Sequence, residues 1–345
     1  MARIRYEEKE LSRPSLYLIQ RANEIIASYQ AQGYDMTLRQ LYYRLVATGV
    51  IPNRQAEYNR LGRIIADGRM GGLVDWDAIV DRTRNVRALP HWNDPAAVIA
   101  TAARQYRNDL WRSQPYRIEG WVEKDALVGV FLPVCQDLDI PLFSCRGYTS
   151  ISEIWGAAQR LQTHMKAGQD VVILHFGDHD PSGLDMTRDI LERLRKILYG
   201  DWVRWARDEM GKDGTDVSDR KAISAWIDLE GHQPWDRRLE VRRMALTWEQ
   251  VQQYSPPPNP AKVTDSRFQG YQAEYGDESW ELDALEPPVL DQLVRDGAES
   301  VMDRTAYQAA VDRQREGTQQ LLRVTEQWSQ IEELVGRNGK EGNDE

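Results

Sequence analysis

Apolar residues recur at helical spacing along the N-terminal part of the chain. From Ser12, with Pro14 just inside, Leu18, Ile19, Ala22, Ile25, Ile26 and Tyr29 make one face of a helix. It runs to about Gln32 and stops at Gly33. Thr37 and Gln40 stand three residues apart in the capping-box pattern and open a second helix through Val46 to Gly49. A third, about 55 to 67, follows Pro52 and breaks at Gly68 and Gly71-Gly72. Short β-like pieces, Leu73-Val74 and Ala78 to Val80, then flank a turn. Three short helices followed by a small hairpin are the plan of a winged helix over 37–87, with a further N-terminal helix within 1–36. A generic helical subdomain is the plainer alternative.

From residue 88 the pattern changes. A linker with its own helix (Asp94 to Trp111, within 88–115) leads into alternating strands and helices. Strands are predicted at 116–122, 140–144 and 171–176, helices at 125–136, 149–166 and 184–198, and a further strand at 238–246. This alternation predicts a mixed α/β chain with a Rossmann-like parallel sheet, covered on both faces, across 116–246. Beyond 247 the signal weakens. Ser255 to Pro260 reads as a stiff extended segment, and Trp280 to Leu285 lies on or near a helix. The last helix, 306 to 335, spaces Leu321, Val324, Trp328, Ile331 and Val335 by three and four, a seam for the chain's own body or for a second copy. Residues 247–335 are therefore expected as a C-terminal helical extension and 336–345 as a disordered tail.

Composition narrows the class of protein. The 345 residues suffice for two cores, and 41% hydrophobic with 28% charged residues is ordinary for a globular chain. No apolar run approaches the roughly 20 residues of a bilayer span, and the N-terminus has no apolar signal core. The expectation is a cytoplasmic protein, nucleoid-associated or, if viral, in the host-cell cytoplasm, with no membrane partner. Cys135 and Cys145 are too few for a disulfide framework or a four-cysteine zinc site and read as core residues. The net charge of −10 hides an asymmetry. Residues 1–120 hold 18 Lys and Arg against 13 Asp and Glu, and the remainder 26 against 41. A basic front on an acidic body suits a DNA-docking module joined to a metal-binding one.

Chemistry concentrates where the run Asp170 to Phe176 stops. Asp178-His179-Asp180-Pro181-Ser182-Gly183 follows Gly177, and ligands of open α/β sheets sit at the carboxyl ends of strands. Two aspartates so close repel unless a cation lies between them, and Mg²⁺ prefers carboxylate oxygens. Alone, the same pattern fits an acidic turn capping a helix. Glu123, at the end of the strand 116–122, can converge on the same edge. Three carboxylates then divide between holding a metal and exchanging a proton.

Val122-Glu123-Lys124-Asp125-Ala126, then Arg146-Gly147-Tyr148, then Asp178 to Gly183 together resemble the Toprim domain, and most closely that of the type IIB topoisomerase A and meiotic double-strand-break transesterase family. That family carries a winged helix before Toprim, with a catalytic tyrosine in a Thr-x-Arg-x-x-Tyr-Tyr pattern, and Thr37-Leu-Arg39-Gln-Leu-Tyr42-Tyr43 matches it. Leu246-Thr247 and Glu278 to Leu285 are similar to the closing segments of the Toprim half, so the resemblance spans about 37 to 285, with the Pro-rich segment as an insertion.

Helix geometry separates the two tyrosines. Leu38, Leu41, Tyr42 and Leu45 form one apolar stripe, which makes Tyr42 a tethered core residue. Tyr43 lies about 100° further round, one turn beyond Arg39, on the face expected to be free for DNA. A phenol needs a neighbouring cation or base to react, and Arg39 and Arg44 are the nearest cations. The plainer reading makes both rings packing or phosphate contacts. Arg44, Arg60, Arg63, Arg69, Arg82 and Arg84, with Lys124, are the candidate DNA contacts. Lys124 can alternatively screen the carboxylates. His175 and His179 read as core or outward-facing residues, Asp125 and Asp185 as helix-start charges, and Lys262 and Arg267 as phosphate contacts or ion pairs.

The resemblance implies Mg²⁺-dependent cleavage of double-stranded DNA. Tyr43 would attack the phosphodiester with Arg39 beside it, Glu123, Asp178 and Asp180 would hold the metal, and Glu123 would exchange the proton of the 3′ hydroxyl. It also implies a homodimer in which the tyrosine of one protomer works against the metal site of the other. No phosphate-cradling loop occurs in the chain, so strand passage would need a separate ATPase subunit. The alternatives are a Toprim nuclease that uses metal-activated water, with Tyr43 idle, and a DNA-binding accessory protein with a decayed site.

Overall fold

The computed structural model describes residues 3–34, 36–80, 89–212, 219, 221–222, 224–225, 234–328 and 330–333. Met1–Arg84 and Tyr116–Val301 cluster into one compact unit, and Asn85–Pro115 with Met302–Glu345 into another.

In the first unit the predicted N-terminal helices form as α1 (Arg13–Ala31), α2 (Leu38–Ala47) and α3 (Gln55–Met70). Ser12 caps α1, and both halves of the Thr37/Gln40 capping box are made at the start of α2. Leu18, Ile19, Ala22 and Ile26 of α1 share a core with Leu41 and Leu45 of α2 and Leu61, Ile64 and Ile65 of α3. The expected hairpin is not found among the described residues. Leu73-Val74 and Ala78 to Val80 do not pair with each other; Ile79 bridges Met36 and Gly71 bridges Arg5. Their amides are engaged elsewhere, those of Leu73 and Val74 by the Gly68 carbonyl and that of Val80 by Met36, and Arg69 donates to the carbonyls of Trp76 and Ile79 and pins this turn back on α3. Residues 81–88, including Arg82 and Arg84, lie outside the described residues.

The rest of this unit is α/β. Strands β1 (Tyr116–Val122), β2 (Leu142–Ser144), β3 (Asp170–Phe176) and β4 (Leu239–Ala245) form one sheet in the order β2-β1-β3-β4, every pair parallel. Between them lie α5 (Val128–Asp137), α6 (Ile151–Lys166) and α7 (Pro181–Lys212). The helix predicted to end at Leu198 continues because Trp202, Ala206 and Met210 extend its buried face at four-residue steps. Parallel strands must end on one side. Val122 of β1 is in register with Phe176 of β3, and Phe176 with Ala245 of β4, so Glu123, Gly177-Asp178 and Leu246 leave the sheet side by side. Cys135 and Cys145 are buried, as read.

After β4 come α8 (Trp248–Tyr254), β5 (Asn259–Pro260), α9 (Phe268–Tyr275), β6 (Glu278–Ser279) and α10 (Pro287–Glu299). The end of the Pro-rich segment is thus a short strand, β5, antiparallel to β6. In the second unit, α4 (Pro95–Gln105) and α11 (Arg304–Glu326) belong together. Gln314 accepts from the Asn108 amide, Gln114 bonds the backbone of Asp303, and Trp111 meets Tyr307 edge-on. No helix among the described residues is long and apolar enough to cross a membrane.

Candidate active site

The strand-end turn is built first by its own backbone. Pro181 opens α7, and Asp180 Oδ1 accepts from the Gly183 amide (2.6 Å) and the Ser182 hydroxyl (2.8 Å). Asp180 therefore acts as the cap of α7, the plainer role its pattern allowed. A side chain at Gly183 would place Cβ 2.3 Å from the Asp178 carbonyl, so only glycine closes this turn. His179 exchanges backbone hydrogen bonds with Trp280 (2.8 and 2.9 Å), and its ring is buried against Trp248, Tyr271, Tyr275 and Trp280. It faces away from the carboxylates, as expected of it. His175 is a buried core histidine bonded to Thr187 (2.8 Å).

That pairing zips the segment before α10 onto the turn and brings in two carboxylates not singled out from the sequence. Among the described residues, Asp178, Glu281 and Asp283 present carboxylate oxygens that all lie within 4.8 Å of one another. Asp178 Oδ1 also accepts from the Leu282 amide at 2.8 Å. The set whose oxygens converge is thus not Glu123, Asp178 and Asp180. Asp180 is turned to the helix start, and Glu123 Oε2 is engaged by the Asp178 amide at 2.9 Å. The available signal was the alternation Glu281-Leu-Asp283, which repeats the i, i+2 carboxylate spacing of Asp178 and Asp180 inside a segment already similar to the Toprim closing region.

Two cations stand in this cluster. Lys124 Nζ lies 2.8 Å from Asp178 Oδ2, 2.6 Å from Glu281 Oε2 and 2.8 Å from Asp283 Oδ1. It screens the carboxylates and is not turned outward for DNA. Arg39, from α2, pairs with Glu281 through Nη2 and with Asp283 through Nε (3.0 Å). The same Nη2 is 3.4 Å from the Tyr43 hydroxyl. Burial works to raise the Glu281 pKa, but Lys124 and Arg39 outweigh it and hold the group down at about 2. Glu123 is the opposite case. Burial, and then the Asp178 charge, push it up to about 7.

Tyr42 is packed and tethered as read, with its hydroxyl against Asn53 Oδ1 (2.9 Å) and the Arg54 amide (2.8 Å). Tyr43 corrects the expectation of a free face, since only 4% of it is exposed. The turn of α2 was right, but β5 and Glu281 cover that side. Asn259 Nδ2 approaches the Tyr43 hydroxyl at 3.4 Å, and Asn53 holds the Pro258 carbonyl (2.6 Å) and Asn259 (2.8 Å). Burial, with Glu281 next, pushes the phenol up to about 12 against the opposing pull of Arg39.

The other arginines divide. Arg44 pairs with Glu286 (2.5 Å), and Arg69 is spent inside its turn, its guanidinium also lying over Trp76. Arg60 is half-exposed and paired with Glu57 (2.6 Å), while Arg63 is exposed, so both lie on the outer side of α3. Arg267 pairs with Asp185 and Asp265, and Asp125 with Arg146.

No family model, curated protein or solved structure matches this chain. What can be said of its chemistry rests on these residues and their geometry.

Proposed function

We propose that this chain cleaves DNA by transesterification from Tyr43, with Mg²⁺ held at the carboxylate-lined edge of the sheet. One observation carries the reading. Arg39 touches the Tyr43 hydroxyl and, with the same guanidinium, Glu281 and Asp283, so a phenol and a carboxylate cluster from distant parts of the sequence share one cation. The DNA substrate rests on the resemblance of the strand-end motifs and of Thr37 to Tyr43, with Arg60 and Arg63 as basic contacts on α3.

In the reaction, Tyr43 Oη attacks phosphorus. A bond from phosphorus to the tyrosine forms as the bond to the 3′ oxygen breaks, leaving the protein on the 5′ phosphate and a free 3′ hydroxyl. The phenol passes its proton to solvent water, and the departing 3′ oxygen takes one from the Glu123 carboxyl. Arg39 beside Oη pulls toward the phenolate against burial and Glu281, which hold the phenol up, and Glu123, with a proton affinity near neutrality, is matched to hand a proton to the 3′ oxygen. Asp178, Glu281 and Asp283 offer an all-carboxylate donor set of the kind Mg²⁺ takes, and would hold it once Lys124 Nζ, which lies within 2.8 Å of all three, had withdrawn. When bound, the metal supplies charge neutralisation at the phosphate oxygens. Because Asn259 and Glu281 cover the Tyr43 hydroxyl, α2 has to part from the closing segment before a phosphate can reach it. By the same resemblance the working form is a homodimer, and strand passage would call on a separate ATPase subunit.

The burial of Tyr43 favours a second reading, a hydrolytic nuclease in which water attacks and the tyrosine only packs. Incubation with supercoiled DNA and Mg²⁺, followed by a denaturing quench, separates the two. We expect protein joined to 5′ ends in the wild type. In Tyr43→Phe we expect no adduct and cleavage reduced at least about a hundredfold. Cleavage without adduct that survives in Tyr43→Phe would establish the hydrolytic reading instead.

A further inference from the structure

Arg243 of β4 is the least expected group near the site. It is half-buried, and among the described residues it makes no ion pair, although a charge drawn out of water is costly without a partner. Its donors go to the strand-end turn and its surroundings. Nη2 reaches the carbonyls of Gly177 (3.2 Å), Asp178 (2.6 Å) and Leu246 (3.1 Å). Nη1 reaches the Gly183 carbonyl (2.9 Å) and the Thr187 hydroxyl (3.1 Å), and Nε the Leu246 carbonyl (3.2 Å). One planar group thus spans the turn from its first residue to its last.

The sheet is bent to permit this. His175 is in register with Arg243, but Phe176 pairs with Ala245, so Met244 is the extra residue of a bulge that re-aims the strand end. Gly177 completes the arrangement. A Cβ there would lie 2.9 Å from Glu123 Oε2 and 3.6 Å from Arg243 Nη1, so a bare backbone lets carboxylate and guanidinium close on it from both sides. A neutral donor would satisfy carbonyls without the cost of burying a charge. The positive charge is accounted for by Glu123, Asp178 and Asp180, which act on it through space.

We infer that Arg243 is a positioning residue for the proposed metal site. Its guanidinium clamps the Asp178–Gly183 turn so that the Asp178 carboxylate faces Glu281 and Asp283, and its charge offsets the mutual repulsion of the carboxylates. Lysine, a point charge with three donors, cannot span the same carbonyls. The inference rests on the metal reading above, and its test keeps the two apart.

The test is calorimetric titration of the full chain with Mn²⁺ in the absence of DNA, with folding followed by circular dichroism. The variants are Arg243→Lys, Arg243→Gln and Thr187→Val. We expect the wild type to bind Mn²⁺ and both Arg243 variants to bind at least about tenfold more weakly. Hydrogen exchange at the His179 and Gly183 amides should accelerate in them while β1 amides stay protected. Thr187→Val, which removes one anchor of Nη1 together with the hydroxyl that His175 bonds, should lose about threefold. Folded Arg243 variants with wild-type Mn²⁺ affinity overturn the inference and leave the metal site standing. Should the Arg243 variants not fold, unchanged affinity in Thr187→Val overturns it. A wild type that binds no Mn²⁺ overturns the metal reading and this inference with it.

Discussion

Glu123 and Glu281 are both carboxylates near the same strand ends, yet their surroundings give them opposite work. Glu281 is held ionised by Lys124 and Arg39, whereas Glu123 is half-buried, accepts among the described residues from the Asp178 backbone amide, and lies beside the charge of Asp178. A raised pKa is also a statement about stability. Below about 4.5 the Glu123 carboxyl is protonated in folded and unfolded chains alike, and above about 7 it is ionised in both. Between those limits the folded state binds the proton more tightly, so the stability it contributes at low pH is lost as pH rises through 7. Glu123→Gln keeps the acceptor and removes the titration. In metal-free buffer, wild-type stability relative to this variant should fall as pH rises from 4.5 through 7. Denaturant unfolding at each pH checks it, and a flat difference would exclude the raised pKa described for Glu123.

Helix α2 carries both Arg39 and Tyr43, and its start is set locally. Thr37 accepts from the Gln40 amide and Gln40 returns a bond to the Thr37 backbone. Thr37→Ala should cost about 1 kcal/mol, measured as a shift in the denaturant midpoint without a change in slope. The helix and its two tyrosine faces were legible because cap chemistry and a period of 3.6 are properties of neighbouring residues. The cover over Tyr43 was not, because β5 and Glu281 arrive from more than 200 positions away. Likewise the β-like pieces after α3 were legible as short apolar runs, but their partners, Met36 for one piece and Arg69 for the turn, are tertiary choices.

In the unit that holds the site, α2 docks on the closing segment through Arg39 to Glu281 and Asp283 and Arg44 to Glu286, and Ala284 joins the core of α1 to α3. Tyr43 therefore rests beside the carboxylates of its own chain, whereas the resemblance implies that it works against those of another. Mixing Tyr43→Phe with Asp178→Asn protein, each inactive alone, decides between them. If the tyrosine acts across protomers, a mixed dimer has one complete site and should nick supercoiled DNA in single strands. If it acts within its own chain, no mixed dimer has a complete site and the plasmid stays supercoiled. The Arg39 contact that joins both groups in one chain predicts no nicks, read on a denaturing gel after protease treatment.

Local order was already written in the chain. Runs of strand length alternating with helices announced the parallel sheet, and a parallel sheet must deliver its strand ends to one edge, which placed Glu123 beside Asp178 before any coordinates. Caps, stripes and the glycine of the tight turn follow from the same short-range rules. The partners of those carboxylates were another matter. Asp180 fits a cap or a ligand equally well by pattern, and tertiary structure gives its Oδ1 to the Gly183 amide at 2.6 Å as a cap. Glu281 and Asp283 entered only because Trp280 pairs with His179, and Lys124, which read equally as a phosphate contact or a screen, lies where it can neutralise three carboxylates at once. Which charges meet depends on how distant segments pack, and packing optimises burial and charge over the whole molecule, so neighbours in sequence carry little record of it.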